Sequence, residues 1–246
     1  MRAVLLGATK GMGRALARLM AERGDALYLL GRDRDDLARS AADLEIRGAA
    51  GTVGFTHCDL LDPATFAPAL DAAVAALGGL DAVVVSAALF AAQETLERDG
   101  ALRDRMLAAN FANTIAFCEL ARERLLAAGG AARLCVFSSV AGDRARKPVL
   151  LYGATKAGLT YYLTGLDHKF AAQGLRPILV KPGFVKTGMV ADLQPPPFAG
   201  EPEPVARAVL RAIDRGTPVV YAPGVWRWIM LVIRMLPRAV MRRIAF

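Results

Sequence analysis

Short apolar runs alternate with longer amphipathic stretches along most of the chain. Runs such as Ala82-Val83-Val84-Val85 are continuously apolar, which is typical of parallel strands buried on both faces of a sheet. Strands are predicted at 3–6, 26–30, 52–56, 82–86, 133–138, 177–181 and 218–222. The stretches between them are rich in Ala, Leu and Arg and read as helices. The alternation predicts an α/β fold: a Rossmann-type, doubly wound, parallel seven-stranded sheet with helices on both faces.

The length and composition suit one domain. With 246 residues, 54% of them hydrophobic, the chain can bury a full core. We expect a catalytic domain at 1–222 and a basic, amphipathic helical tail at 223–246.

A glycine-rich turn, Gly7-Ala8-Thr9-Lys10-Gly11-Met12-Gly13, follows the first apolar run and opens an amphipathic stretch. Strand, glycine turn and helix in this order indicate a dinucleotide site. The glycines let the backbone approach a pyrophosphate, which then lies at the positive end of the helix. A purely structural β–α turn is the alternative.

The run Tyr152-Gly153-Ala154-Thr155-Lys156 places a phenol and an ammonium on one face of a helix. The cation is expected to lower the pKa of the tyrosine toward neutrality. Ser139 lies just upstream and can hydrogen-bond a carbonyl oxygen, with Ser138 as the fallback. These groups suit proton transfer at a carbonyl or alcohol oxygen while hydride moves at the adjacent carbon. A solvated helix face is the alternative, because this spacing is common by chance.

Taken in order, these motifs resemble the short-chain dehydrogenase/reductase family. The resemblance rests on the glycine turn, Asn110, Ser139, the Tyr152/Lys156 pair and Pro182-Gly183-Phe184-Val185-Lys186-Thr187. It implies an NAD(P)-dependent oxidoreductase with Ser139, Tyr152, Lys156 and Asn110 as catalytic residues. Asn110 would distort its helix and hold a water in a proton relay to the lysine. Leu6 and the run Ser86-Ala87-Ala88-Leu89 depart from the family pattern.

The resemblance also implies which residues contact the dinucleotide. Asp59 would contact the adenine amino group, although it could equally cap a helix, and Thr187 would bind the nicotinamide carboxamide. Lys156 would hold the nicotinamide ribose. The other expected contacts are Gly7, Thr9, Lys10, Gly11, Met12, Gly13, Arg32, Leu60, Ser86, Ala87, Ala88, Tyr152, Pro182, Gly183 and Val185.

The end of the second predicted strand bears on the choice of nicotinamide cofactor. Glycine occupies the usual acidic position at Gly31, and Arg32 follows it. Arg32 and Lys10 would pair with a 2′-phosphate, which favours NADP(H) over NAD(H). Asp33 weakens this prediction, because a shifted turn would bring its carboxylate to the ribose.

The tail is basic and apolar at once. Its apolar part is too short, and too interrupted by arginine, to span a membrane. Arg227, Arg234 and Arg238 fall on one helical stripe, and Pro237 should break the helix. A helix lying on an anionic membrane surface fits this pattern and the net charge of +8. Packing on its own domain or on a sister subunit is the alternative.

Runs at 138–144, 152–159, 221–223 and 234–238 resemble the decaprenylphosphoryl-2-keto-ribose reductases. This resemblance implies a lipid-linked keto sugar as substrate, with Arg144, Arg146 and Lys147 holding a phosphate unless they form a solvated basic loop. A soluble carbonyl or acyl-chain reductase, with the tail lining the substrate pocket, is one alternative. A non-catalytic dinucleotide-binding regulator is another.

The remaining features indicate the cellular compartment and the kinds of partner. The cysteines, at 58, 118 and 135, are odd in number, which argues for a reducing, cytoplasmic compartment. If the tail lies on a membrane, we expect it to be at the inner face. His57 and His168 are too far apart to suggest a metal site. No motif supports nucleic-acid binding. A homo-oligomer is expected from family precedent alone.

Overall fold

The computed structural model describes residues 1–130, 132–190, 194 and 198–244. Its strands are β1 (Arg2–Leu6), β2 (Ala26–Gly31), β3 (Gly54–His57), β4 (Ala82–Val85), β5 (Ala132–Phe137), β6 (Leu175–Pro182) and β7 (Val219–Ala222). They form one parallel sheet in the order β3-β2-β1-β4-β5-β6-β7. This confirms the predicted seven-stranded fold, in which the strand order reverses between β1 and β4.

The third strand is shifted from its predicted position at 52–56. Pairing with β2 starts at Gly54 and runs to His57. The amide of Val53 donates to Glu45 Oε1 at 2.8 Å instead of joining the ladder, so the strand begins two residues later than predicted.

Helices cover both faces of the sheet. They are α1 (Gly11–Glu22), α2 (Arg34–Ile46), α3 (Phe66–Leu77), α4 (Gln93–Arg98), α5 (Gly100–Leu107), α6 (Asn113–Ala127), α7 (Leu150–Phe170), α8 (Pro202–Arg215), α9 (Trp226–Met235) and α10 (Arg238–Arg243). A π-helical turn, Ala108–Ala112, joins α5 to α6.

Alternate strand side chains fill two separate cores. Leu5 and Val84 face α1, α2 and α8, whereas Val4 and Val83 face α3, α6 and α7. Burial of such side chains stabilises the fold by about 1.5–3 kcal/mol each, which explains the continuous apolar runs. Cys118 and Cys135 are fully buried in these cores.

The tail divides at Pro237, as predicted, into α9 and α10. Trp226, Met230 and Ile233 of α9 are buried and form a third apolar cluster with Val140. Trp228 and Met235, by contrast, are 66% and 77% exposed. Helix α9 therefore packs on its own domain through one face and leaves a second apolar face uncovered. Within the described residues, no helix is both long and apolar enough to cross a membrane.

Candidate active site

A cleft of about 550 Å³ opens at the carboxyl ends of β1 and β4. Open α/β sheets bind ligands at this point, where the strand order reverses. Most of the predicted cofactor residues line the cleft: Gly7, Thr9, Lys10, Gly11, Met12, Gly13, Arg32, Asp59, Leu60, Ser86, Ala87, Ala88 and Thr187. The other predicted contacts are not among the described residues of its lining: Tyr152, Lys156, Pro182, Gly183 and Val185. Gly183 instead donates its amide to Ala222 O at 3.1 Å.

The glycine turn is built for close backbone approach. A β-carbon on Gly13 would overlap Gly7 O and Ser86 Oγ. Ser86 Oγ donates to Gly7 O at 3.1 Å. Ser86 belongs to the run 86–89 that differs from the family pattern, and this hydrogen bond stabilises the glycine turn. Among the described residues, no side chain caps the start of α1 and no acid lies in its first turn. Its free N–H groups and positive dipole end therefore suit a phosphate.

Near the end of β2, Lys10 and Asp33 already have partners. Lys10 Nζ lies 3.1 Å from Asp36 Oδ2, and Asp36 also binds Arg39 at 2.6 Å. Hydrogen bonds from Arg39 and Lys10 hold the pKa of Asp36 below its usual value. Asp33 Oδ1 accepts the amide of Asp36 at 2.9 Å and caps α2, so this carboxylate is engaged at the helix start. The sequence interpretation did not include Asp36.

Two further residues lie where β3 ends. Asp59 Oδ1 accepts the amide of Leu61 at 2.9 Å and so forms a tight turn; the cap of the next helical turn is Asp62. Burial raises the pKa of the Cys58 thiol to about 11, so this cysteine is protonated and unreactive at neutral pH. The cleft-lining residues that sequence reasoning missed are Leu6, Gly31, Cys58, Leu61, Leu89, Phe90, Ala109, Gly188 and Met189.

Three of the four predicted catalytic residues, Ser139, Tyr152 and Lys156, lie close together. Tyr152 and Lys156 share one face of α7, with Lys156 Nζ 5.6 Å from the centre of the tyrosine ring. Ser139 begins the short 3-10 turn Val140–Gly142, and its Oγ accepts the amide of Ala141 at 3.1 Å. Ser138 Oγ instead donates to Lys156 O at 2.9 Å inside the protein. This geometry favours Ser139 over Ser138 as the substrate-facing hydroxyl.

The predicted lowering of the tyrosine pKa is wrong for this structure. Burial raises the pKa of Tyr152 to about 12, against a smaller opposing effect of the Ser139 hydroxyl. Burial also lowers the pKa of Lys156 to about 8. The ammonium donates to Phe137 O at 2.9 Å and is itself desolvated. The phenol is therefore protonated at neutral pH, the form that can donate a proton.

Phe90 connects the cleft to Tyr152. It lines the cleft, and its ring meets Tyr152 edge to face with centres 5.1 Å apart. Asn110 holds the segment that carries Phe90, because its side chain bonds both the amide and the carbonyl of Leu89 at 2.7 Å. Asn110 lies in the π-helical turn, so the helix distortion expected from the resemblance is present.

The basic loop before α7 contacts the tail. Arg144 donates to Leu236 O at 2.9 Å, at the end of α9. Lys147 donates to Arg242 O at 2.8 Å, in the last turn of α10. These two cations therefore stabilise the carboxyl ends of the tail helices, a use that the sequence interpretation did not consider.

The fold and the site together define an NAD(P)-dependent oxidoreductase. The chain belongs to the short chain dehydrogenase family, whose sequence profile matches residues 1–197. An uncharacterized oxidoreductase of Mycobacterium tuberculosis is 33% identical over 240 residues, 98% of this chain and 95% of the relative. A cis-4-hydroxycyclohexanecarboxylate dehydrogenase of Sinomonas cyclohexanicum is 31% identical over 84% of this chain and 86% of the relative.

Solved structures share the fold. A short-chain type dehydrogenase/reductase from Mycobacterium ulcerans superposes with a TM-score of 0.82 at 22% identity, covering 98% of this chain and 97% of that chain. A short chain dehydrogenase from Burkholderia cenocepacia, solved in complex with NADP, gives a TM-score of 0.79 at 24% identity, covering 89% and 95%.

Proposed function

We propose that the chain is an NADPH-dependent ketoreductase that interconverts a ketone and a secondary alcohol. The observation that supports this most directly is the pairing of Tyr152, which is half-buried, with the buried Lys156 beside Ser139. Phe90 joins this group to a cleft shaped for a dinucleotide. The relative named as a hydroxycyclohexanecarboxylate dehydrogenase supports the same class of reaction.

Each residue of the set has a separate role. When bound, the dinucleotide supplies the hydride that forms the new C–H bond at the carbonyl carbon. As the C=O π electrons move to oxygen, Ser139 donates a hydrogen bond to that oxygen and Tyr152 transfers its proton to it. Lys156 stabilises the resulting phenolate and returns a proton to it. The π-helical turn at Asn110 would hold the water that reprotonates the lysine.

The residues around the cleft fit NADP(H). The uncapped start of α1 and the glycine turn would hold the pyrophosphate. Arg32 lines the cleft, and Lys10 needs only to exchange Asp36 for a phosphate. The NADP complex of the Burkholderia neighbour supports this preference over NAD(H).

Replacing the catalytic phenol tests the proposed reaction. We expect Tyr152→Phe to lower kcat by 10²-fold or more, because loss of acid catalysis typically costs about 10²–10⁴-fold, while NADPH still binds. Tyr161→Phe is the matched control, since this tyrosine lies on the same helix and is 85% exposed. Retention of more than about a tenth of wild-type kcat by Tyr152→Phe would refute the assignment.

We also propose that the substrate is presented at a membrane surface, as a lipid-linked keto sugar would be. The face of α9 that is not packed on the domain exposes Trp228, Leu231, Val232 and Met235. From residue 215 to 246 the chain carries arginines and no acid, which complements anionic lipid. Phe198, whose carbonyl accepts a hydrogen bond from the Trp226 indole, adds a further apolar side chain that is 63% exposed next to the tail.

Vesicle sedimentation of the full chain tests this surface. We expect binding to vesicles that contain phosphatidylglycerol and little binding to phosphatidylcholine alone. The double variant Trp228→Ser/Met235→Ser should abolish the difference, whereas Ile46→Ser, which removes an 87% exposed apolar side chain elsewhere, should preserve it. Equal binding of both variants would overturn the proposal.

The second candidate is a soluble carbonyl or 3-oxoacyl reductase whose tail lines the substrate pocket. It is favoured by the contact of Trp226, Met230 and Ile233 with Val140, the residue after Ser139. If the wild-type protein reduces simple ketones and does not bind vesicles, this second candidate is supported. Turnover of no ketone with either nicotinamide would select a non-catalytic regulator. The expected homo-oligomer stays a prediction, which light scattering would test.

A further inference from the structure

A buried carboxylate outside the predicted site ties the Ser139 segment to the sheet. Asp143 directly follows the 3-10 turn Val140–Gly142 that Ser139 begins. Its side chain is 2% exposed. One carboxylate oxygen accepts a hydrogen bond from Lys181 Nζ at 2.5 Å, and the other accepts one from Tyr221 OH at 2.7 Å.

The two partners of Asp143 come from neighbouring strands. Lys181 belongs to β6 and Tyr221 to β7, and the two residues are paired in the ladder. The Lys181 side chain is only 8% exposed. A buried ion pair adds little net stability, because desolvation offsets the attraction. Its clearest consequence here is geometric, since it fixes one end of the 139–143 segment against the sheet.

The other end of the segment is held beside the same strand. Ser139 Oγ lies 3.5 Å from Pro182 O and is oriented to donate to it. Pro182 directly follows Lys181, so two adjacent residues of β6 contact both ends of the segment.

The middle of the segment is enclosed by helices. A β-carbon on Gly142 would lie 2.7 Å from Ala157 N, in the backbone of α7. Val140 packs against Trp226 and Met230 of α9. The turn is thus confined between the catalytic helix, the tail helix and the ends of β6 and β7.

We infer that Asp143 is a positioning residue for Ser139: by joining Lys181 and Tyr221, it holds the serine hydroxyl beside Tyr152. This inference rests on the proposed role of Ser139 in carbonyl reduction. Asp143 touches no reacting atom in this scheme, and its effect is exerted through the backbone of the turn.

Tyr221→Phe tests the inference with the smallest structural change, since the ring remains in the apolar cluster. We expect kcat to fall about 5- to 50-fold, because small displacements of a catalytic group are costly, while the KM for NADPH is unchanged. Tyr162→Phe is the matched control: Tyr162 OH donates to Glu119 Oε1 at 2.6 Å, a similar bond between α6 and α7. Equal kcat values for the two variants would overturn the inference.

A double-mutant cycle with Ser139 separates a positioning effect from general destabilisation. In a Ser139→Ala background, Tyr221→Phe should cause no further loss of kcat, because the hydroxyl that it positions is gone. The same fold-loss in both backgrounds would show a structural role only and overturn the inference. Asp143→Asn/Lys181→Met removes the pair without leaving a lone buried charge and should give the same pattern.

Amide hydrogen exchange tests the positioning without turnover. We expect the amides of residues 140–143 to exchange faster in Tyr221→Phe than in Tyr162→Phe, with α6 unchanged. If the wild type reduces no ketone, the proposed function fails, yet exchange still reports whether Asp143 holds the segment. Identical exchange in both variants would contradict the inference even in an active enzyme.

Discussion

Gly183 lies directly against the indole ring of Trp226, so close that a β-carbon at position 183 would overlap the indole nitrogen. The indole N–H donates to Phe198 O at 3.3 Å. Gly183 was predicted as a cofactor contact, but in the structure its close neighbour is the first residue of α9. The glycine thus allows the tail helix to pack beside the end of β6.

We expect Gly183→Ala to destabilise the protein by displacing Trp226. Overpacking of this kind costs about 1–3 kcal/mol, and each kcal/mol lowers Tm by about 2–4 °C in a domain of this size. Differential scanning calorimetry measures the shift. Gly224→Ala is the control, because among the described residues no atom lies within 4 Å of its added β-carbon. Equal Tm values for the two variants would contradict the packing argument.

The buried lysine predicts a pH dependence of reduction. Burial lowers the pKa of Lys156 to about 8, so the ammonium is present below this pH and is lost above it. If the cation is needed, kcat/KM with NADPH should fall about tenfold per pH unit above about pH 8. Lys156→Arg keeps the charge and should flatten this limb at a lower overall rate. A flat wild-type profile up to about pH 10 would rule out the requirement.

The same pKa shift affects stability with a defined sign. Because the folded pKa of Lys156 lies below its ordinary value of 10.5, the unfolded state binds more protons between about pH 8 and 10.5. The contribution of this residue to stability therefore rises with pH across that window.

Arg32 should determine affinity for the 2′-phosphate. We expect Arg32→Ala to weaken NADPH binding about 10- to 100-fold, since a hydrogen bond to a charged group contributes about 1.5–3 kcal/mol, and to leave NADH binding unchanged. Fluorescence titration measures both. Arg34→Ala is the control, because Arg34 is exposed at the start of α2. Equal losses for NADPH and NADH would exclude a phosphate contact.

Alanine substitutions at two glycines of α7 should change the stability of the protein in opposite directions. Gly165 is exposed, and none of the described residues has an atom within 4 Å of its added β-carbon, so Gly165→Ala should stabilise the helix by up to about 1 kcal/mol. At Gly158 the added β-carbon would overlap the Phe111 ring, so Gly158→Ala should be destabilising. Thermal unfolding of both variants checks the signs, and a gain at both positions would show that Phe111 yields easily.

The local motifs predicted the elements of the site well. The glycine turn, the Tyr152/Lys156 face and the Ser139 turn depend on spacing within one or two elements, and the structure places them as expected. Phe90 was missed because only the meeting of its loop with α7 gives it a role. Asp36 was missed because its ion pair with Lys10 links the start of α2 to the start of α1, and the sequence does not show that these two helix ends are close.

The fold class was determined by the sequence alone, because strands buried in a parallel sheet are apolar at most positions and their crossover helices are amphipathic. Only the tertiary structure determined which charged residues pair with one another and which helix faces are buried. Asp143, Lys181 and Tyr221 meet across 78 residues of chain, and no local pattern encodes that meeting. The pKa of Tyr152 and the packed face of α9 depend likewise on burial, which long-range packing sets.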